Sequence, residues 1–186
     1  MEEQEFKQIA AYIPYGLRVY YDGLCEDDIK GEFTVSAYHV GSGINLMGDQ
    51  ELEYGDLSKF FYVDFDFPIK PILRHLSSMT KKEAYDLLCL IVGIEDIGFE
   101  QSDLDYISLN YEYDMLKIKG EFPFDDYVCG TKYTINISND GVACFDTGSN
   151  GVYISHSAYN YLFSKHFDVF GLIDEGLAIE KNVVGL

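Results

Sequence analysis

A two-residue alternation of apolar and polar side chains recurs along this chain and leaves it little choice of fold class. Leu17, Val19 and Tyr21 alternate with Arg18 and Tyr20, and Phe33, Val35 and Ala37 alternate with Glu32, Thr34 and Ser36. Successive side chains of a strand point to opposite faces, so each run reads as a half-buried strand. Asp22-Gly23 ends the first. Gly41-Ser42-Gly43 separates the second from a short strand at Ile44 to Met47. That glycine turn leads into a strand rather than a helix N-terminus, so a hairpin fits it and a phosphate cradle does not. Later, Ile107, Leu109 and Tyr111 and then Leu116 and Ile118 form a second hairpin pattern turning at Tyr113-Asp114. Tyr133, Ile135 and Ile137, followed by Asn139-Asp140-Gly141 and Val142 to Phe145, form a third.

Helical spacing appears in three places. Phe6, Ile9, Ala10 and Ile13 make an i, i+3, i+4, i+7 stripe that Pro14 stops. Phe60 to Phe67 reads as an aromatic extended segment, and Pro68 and Pro71 keep the residues around them out of a helix. Thr80 and Glu83 then form a capping box before the stripe Ala84, Leu87, Leu88 and Ile91, with Gly93 as the stop, which predicts a helix over about 81–92. Tyr159, Leu162, Phe163, His166 and Phe170 predict a C-terminal helix ending at Gly171, with a last turn from Leu172 to Glu175 closed by Gly176. Runs of strands bracketed by helices, without strict alternation, predict an α+β fold with mostly antiparallel sheet, as a single domain over residues 1–186.

Composition matters chiefly through charge. Of 186 residues, 32 are acidic and 13 basic, a formal net charge of −19. Binding to a nucleic-acid backbone is driven by lysine and arginine displacing counterions, so this balance argues against it. No apolar run approaches the roughly 20 residues of a membrane-spanning helix. The start, Met1-Glu2-Glu3-Gln4-Glu5, is acidic and leads into no apolar stretch, unlike a secretory signal, so the expected location is the cytoplasm. Cys25, Cys89, Cys129 and Cys144 form no CxxC pair and are expected as reduced, buried thiols. Asn136-Ile137-Ser138 matches a glycosylation sequon but sits in a strand pattern.

One segment looks like a catalytic motif. Phe145-Asp146-Thr147-Gly148-Ser149-Asn150 resembles the active-site turn of pepsin-like and retroviral aspartic proteases. That chemistry needs two carboxylates sharing a proton, and with a single Asp-Thr-Gly the chain would need a homodimer to build the pair. For the downstream apolar-apolar-Gly element of those proteases, Val169-Phe170-Gly171 falls inside a helical pattern. The plainer reading, which the sequence favours, is a polar turn from Asp146 to Gly151 between two strand segments. His39, His75, His156 and His166 show no HxH or HExxH spacing, and Asp64-x-Asp66 and Asp103-x-Asp105 lack the rest of a calcium loop, so neither a metal site nor a cofactor is expected.

Charge is also uneven along the chain. Glu95 to Asp126 is strongly acidic apart from Lys117 and Lys119, whereas Lys70, Arg74, Lys81 and Lys82 form a basic island with no acid among them. The island is a candidate interaction surface, for a protein partner or for a second copy of the chain. The acidic remainder invites comparison with nucleic-acid mimics that capture basic proteins.

Three segments carry a family resemblance: Ala11-Tyr12-Ile13-Pro14-Tyr15-Gly16-Leu17; Lys70-Pro71-Ile72-Leu73-Arg74 with Leu76; and His166-Phe167-Asp168-Val169-Phe170-Gly171-Leu172-Ile173 running to Gly176-Leu177-Ala178-Ile179. Together they resemble a family of small uncharacterised proteins encoded in phages and prophages of Bacteroidales gut bacteria. The resemblance implies a bacterial host cell and supplies no catalytic or ligand-binding residue. The expectation is a non-enzymatic phage or prophage accessory protein that works by protein binding. The alternatives are a retropepsin-like protease centred on Asp146 and a virion structural or assembly component.

Overall fold

The computed structural model describes residues 8–22, 30–39, 43–47, 60–64, 69–92, 101–121, 132–138, 141–146, 152–153 and 156–181. These fall into two compact units, Met1–Arg74 with Leu172–Leu186, and His75–Gly171. The fold is α+β, and among the described residues every strand pair but one is antiparallel.

The strands of the first unit are β1 (Arg18–Asp22), β2 (Lys30–His39), β3 (Gly43–Met47), β4 (Phe60–Asp64), β5 (Ile69–Leu73) and, near the end of the chain, β11 (Ile179–Glu180). They form a six-stranded sheet in the order β11-β5-β1-β2-β3-β4. Residues 8–10 are helical, and the chain then passes through a 3-10 turn at Ile13–Tyr15. The expected start of that helix at Glu3 lies outside the described residues. Gly16 closes the turn at φ 72°, a left-handed conformation that a glycine adopts without steric penalty. Leu17, Val19 and Tyr21 are buried as the alternation requires, and Arg18 pairs with Glu32 on the opposite face. The expected Gly41-Ser42 turn lies outside the described residues; β2 and β3 on either side of it pair antiparallel, His39 opposite Gly43.

Strand β5 organises this unit. It pairs antiparallel with β1, Val19 opposite Pro71, and parallel with β11, Ile179 opposite Ile72 and Glu180 opposite Leu73. Proline offers no backbone N–H to a ladder, and β11 joins β5 only beyond Pro71. Lys70 Nζ donates to the Gly176 carbonyl at 2.8 Å. It thereby tethers β5 to the turn before β11, where Gly176 N–H reaches Ile173 O and Leu177 N–H reaches Leu172 O. Tyr12, Leu17, Ile72, Leu73, Leu172 and Ala178, drawn from the three segments behind the family resemblance, are all buried in this unit.

The strands of the second unit are β6 (Ile107–Glu112), β7 (Met115–Glu121), β8 (Lys132–Ser138), β9 (Gly141–Asp146) and β10 (Val152–Tyr153). They form a five-stranded meander, β10-β9-β8-β7-β6. Register stacks Ile107 with Gly120 and Tyr133, Leu109 with Ile118 and Ile135, and Tyr111 with Leu116, Ile137 and Val142, so one face of the sheet is apolar. Helix α1 (Lys81–Val92) packs on that face, its Ala84, Leu87 and Leu88 fully buried. Its start is the capping box expected from sequence. Thr80 N–H donates to Glu83 Oε2 at 2.9 Å and Glu83 N–H to Thr80 Oγ1 at 3.2 Å. The stop expected at Gly93 lies outside the described residues. A 3-10 segment at Gln101–Tyr106, which the sequence reading does not anticipate, leads into β6.

The C-terminal helix is shorter than its apolar spacing predicts. Helix α2 spans His156–Ser164, and His166 sits at φ 57° beyond its end. Phe167 N–H bonds Leu162 O and His166 N–H bonds Phe163 O, the paired contacts of a Schellman closure with histidine in the left-handed position. His166 and Phe170 are thus off the helix. Phe170 still packs on α2, its ring stacked on Phe163 at 5.8 Å.

The β6–β7 hairpin turns at Tyr113-Asp114 as expected, with φ of 54° and 56°. Two left-handed residues make a type I′ turn, whose preferred sequence is Asn-Gly. Tyrosine and aspartate hold it against a Cβ clash worth roughly 1 kcal/mol each. Tyr113→Asn with Asp114→Gly is therefore expected to raise stability by about 1 kcal/mol, read as a higher melting temperature. Unchanged melting would contradict it.

Candidate functional site

The face of the meander opposite α1 carries a polar surface built by strand alternation. Ser108, Asn110 and Glu112 on β6 lie beside Lys119, Lys117 and Met115 on β7, and Thr134, Asn136 and Ser138 on β8 continue the rows. Lys132 falls on the same face by the same parity. Lys117, Lys119 and Lys132 thus share one sheet face, together with Glu112 on β6 and, by register opposite Lys132, Glu121 on β7. A shallow cavity of about 260 Å³ runs along the hairpin, lined by Ser108, Asn110, Glu112, Tyr113, Lys117 and Lys119 among others. Tyr113 stands at its tip, 94% exposed. The Asn136 Oδ1 atom is buried and meets no donor among the described residues.

The basic island is arranged differently. Lys70 and Arg74 belong to the first unit, Lys81 and Lys82 to the second. Besides the Lys70 tether, Lys81 Nζ donates to Leu104 O at 3.2 Å, and Lys82 Nζ lies 2.6 Å from Asp86 Oδ1 one turn along α1. Lys82 also lies over the Tyr85 ring, 5.2 Å from its centroid. These three amines are engaged within their own units. Spacing in sequence grouped these residues, whereas Lys117, Lys119 and Lys132 are grouped by strand register, which a linear charge count does not see.

Asp146 ends β9, its backbone opposite Tyr133, and the Thr147 to Asn150 turn that would complete a protease motif lies outside the described residues. Among the described residues no group of three His, Cys, Asp or Glu side chains is placed to hold a metal. Cys89 is buried and not in a disulfide. No described helix is long and apolar enough to cross a membrane.

A second constellation lies where the 3-10 turn Leu76–Ser78 meets β6. His75 caps that turn, its Nδ1 accepting the Ser77 backbone N–H at 3.3 Å. The same Nδ1 is 2.6 Å from Ser77 Oγ, and Nε2 is 3.1 Å from the Tyr111 hydroxyl, the two rings edge-on at 4.8 Å. Because Nδ1 accepts from the backbone, the neutral ring carries its proton on Nε2 and donates it to Tyr111. The sequence shows only a His-x-Ser step, and Tyr111 joins it through tertiary packing. Compared with protein-family models, curated proteins and solved structures, the chain has no match.

Proposed function

We propose that the chain is an accessory protein of the phage or prophage type that acts by binding another protein, and that the lysine-bearing face of the meander takes up a carboxylate-rich segment of that partner. The resemblance of the three quoted segments supports the type. One observation carries the binding mode: Lys117, Lys119 and Lys132 share a solvent-facing sheet surface with exposed Tyr113 at its rim, in a chain whose charge is otherwise strongly negative. Attraction of an acidic partner then rests on Lys117 and Lys119, adjacent on β7, outweighing the carboxylates of the same face, and ionic screening over about 10 Å at 0.1 M salt weakens it.

Fluorescently labelled polyglutamate is the probe. Binding by anisotropy at low salt is expected, falling with added salt, and Lys117→Glu with Lys119→Glu is expected to weaken it roughly tenfold, each exposed ion pair contributing about 0.2–1 kcal/mol before reversal adds repulsion. Equal binding by the variant, or none by the native protein, would overturn the proposal. Sedimentation of both proteins is the second arm: a dimer lost in the variant would assign the face to another copy of the chain instead.

A further inference from the structure

We infer that Ser77 is an activated nucleophile, with His75 as its general base and Tyr111 as the residue that positions the base, and that the site accepts the acyl group of carboxylic esters. A serine hydroxyl is a weak nucleophile until an adjacent base takes its proton. The Ser77 hydroxyl lies 2.6 Å from His75 Nδ1, the nitrogen left without a proton in the neutral ring and shared with the Ser77 backbone N–H, within the range for proton transfer. The opposite nitrogen is held by Tyr111, so the tautomer that can act as base is the one selected. Ser77 is exposed while His75 and Tyr111 are half-buried, so the nucleophile is accessible and the base is ordered. This is the nucleophile, base and orienting-group arrangement of acyl-transfer sites, with a tyrosine hydroxyl in the third place.

The reaction balances without any further reagent. The Ser77 Oγ–H proton passes to His75 Nδ1 as Oγ bonds to the ester carbonyl carbon. The carbon–oxygen bond to the leaving alcohol breaks, and that oxygen takes the proton from Nδ1. Water then gives a proton to Nδ1 and attacks the acyl carbon, the acyl–Oγ bond breaks, and Ser77 recovers its proton as the carboxylic acid leaves.

His75 also caps the 3-10 turn, so the test must separate a cap from a base. Asparagine caps as well as any residue and cannot take the proton, which makes His75→Asn the decisive variant. The intact protein is treated with p-nitrophenyl acetate, following p-nitrophenolate release and locating acetyl groups by tandem mass spectrometry. One acetyl on Ser77 is expected, with a rapid release phase absent in Ser77→Ala, at least roughly 100-fold slower in His75→Asn, and unchanged in Ser164→Ala. For Tyr111 the readout is the His75 ring ¹⁵N shifts: the native ring is expected with Nε2 protonated, and Tyr111→Phe is expected to mix the tautomers. Acetylation of Ser77 no faster than of Ser164, or an equal rate in His75→Asn, would overturn the assignment.

Discussion

Gly120→Ala is expected to destabilise the His75–Gly171 unit by about 1–3 kcal/mol, although alanine ordinarily improves on glycine inside a strand by roughly 0.5–1 kcal/mol. Space decides the sign. A Cβ built at Gly120 would run into Leu88 Cδ2 and come within 3.0 Å of Ile107 Cδ1. Leu88 is fully buried on α1 and Ile107 on β6, so neither can swing into solvent. Glycine here is the seat that lets the helix approach the sheet. Leu88→Ala alone should cost about 2–5 kcal/mol through its cavity. Combining the two should fill that cavity in part, so that the double variant is less destabilised than the sum by about 0.5–3 kcal/mol. Urea unfolding of the four proteins reads the cycle, and strict additivity would mean that Leu88 and Gly120 do not share the space described.

In the other unit the largest effect is expected at Leu73. It lies fully buried in β5, the strand flanked by β1 and β11. Truncation to alanine should cost about 2–5 kcal/mol, whereas Ile72→Val, one residue away and also buried, should cost only about 0.5–1.5 kcal/mol. The contrast is useful because both changes leave the ladder hydrogen bonds intact. Chemical denaturation monitored by far-ultraviolet circular dichroism measures each, and a Leu73→Ala effect below that of Ile72→Val would mean that the strand is packed less tightly than its burial implies.

Local rules made much of this fold legible. The capping box at Thr80 and Glu83 marked α1 because both halves of the motif lie within four residues, and alternation placed β1, β6, β7 and β8 because each buries one face. The end of α2 was not legible. Apolar spacing ran on through His166 and Phe170, and the residue that takes the left-handed closing position is a histidine where a glycine is the common signal. The candidate sites divide in the same way. Lysines at alternate positions of β7 announce a shared face only once the strand is recognised, and adding Lys132 requires the β7–β8 register. Ser77 and His75 are neighbours in sequence, but Tyr111 reaches them across 36 residues, a separation no local pattern encodes.

The parallel pairing of β5 with β11 has a consequence for how the chain is made. The whole His75–Gly171 unit lies between these two strands in sequence, so its meander emerges from the ribosome with all its strand neighbours already synthesised. The first 74 residues emerge earlier yet stay incomplete until Ile179 and Glu180 appear. During that interval the Ile72–Leu73 edge is an unpaired strand margin of the kind that recruits other strands or chaperones. Nascent chains stopped after the meander are where that exposure would be longest.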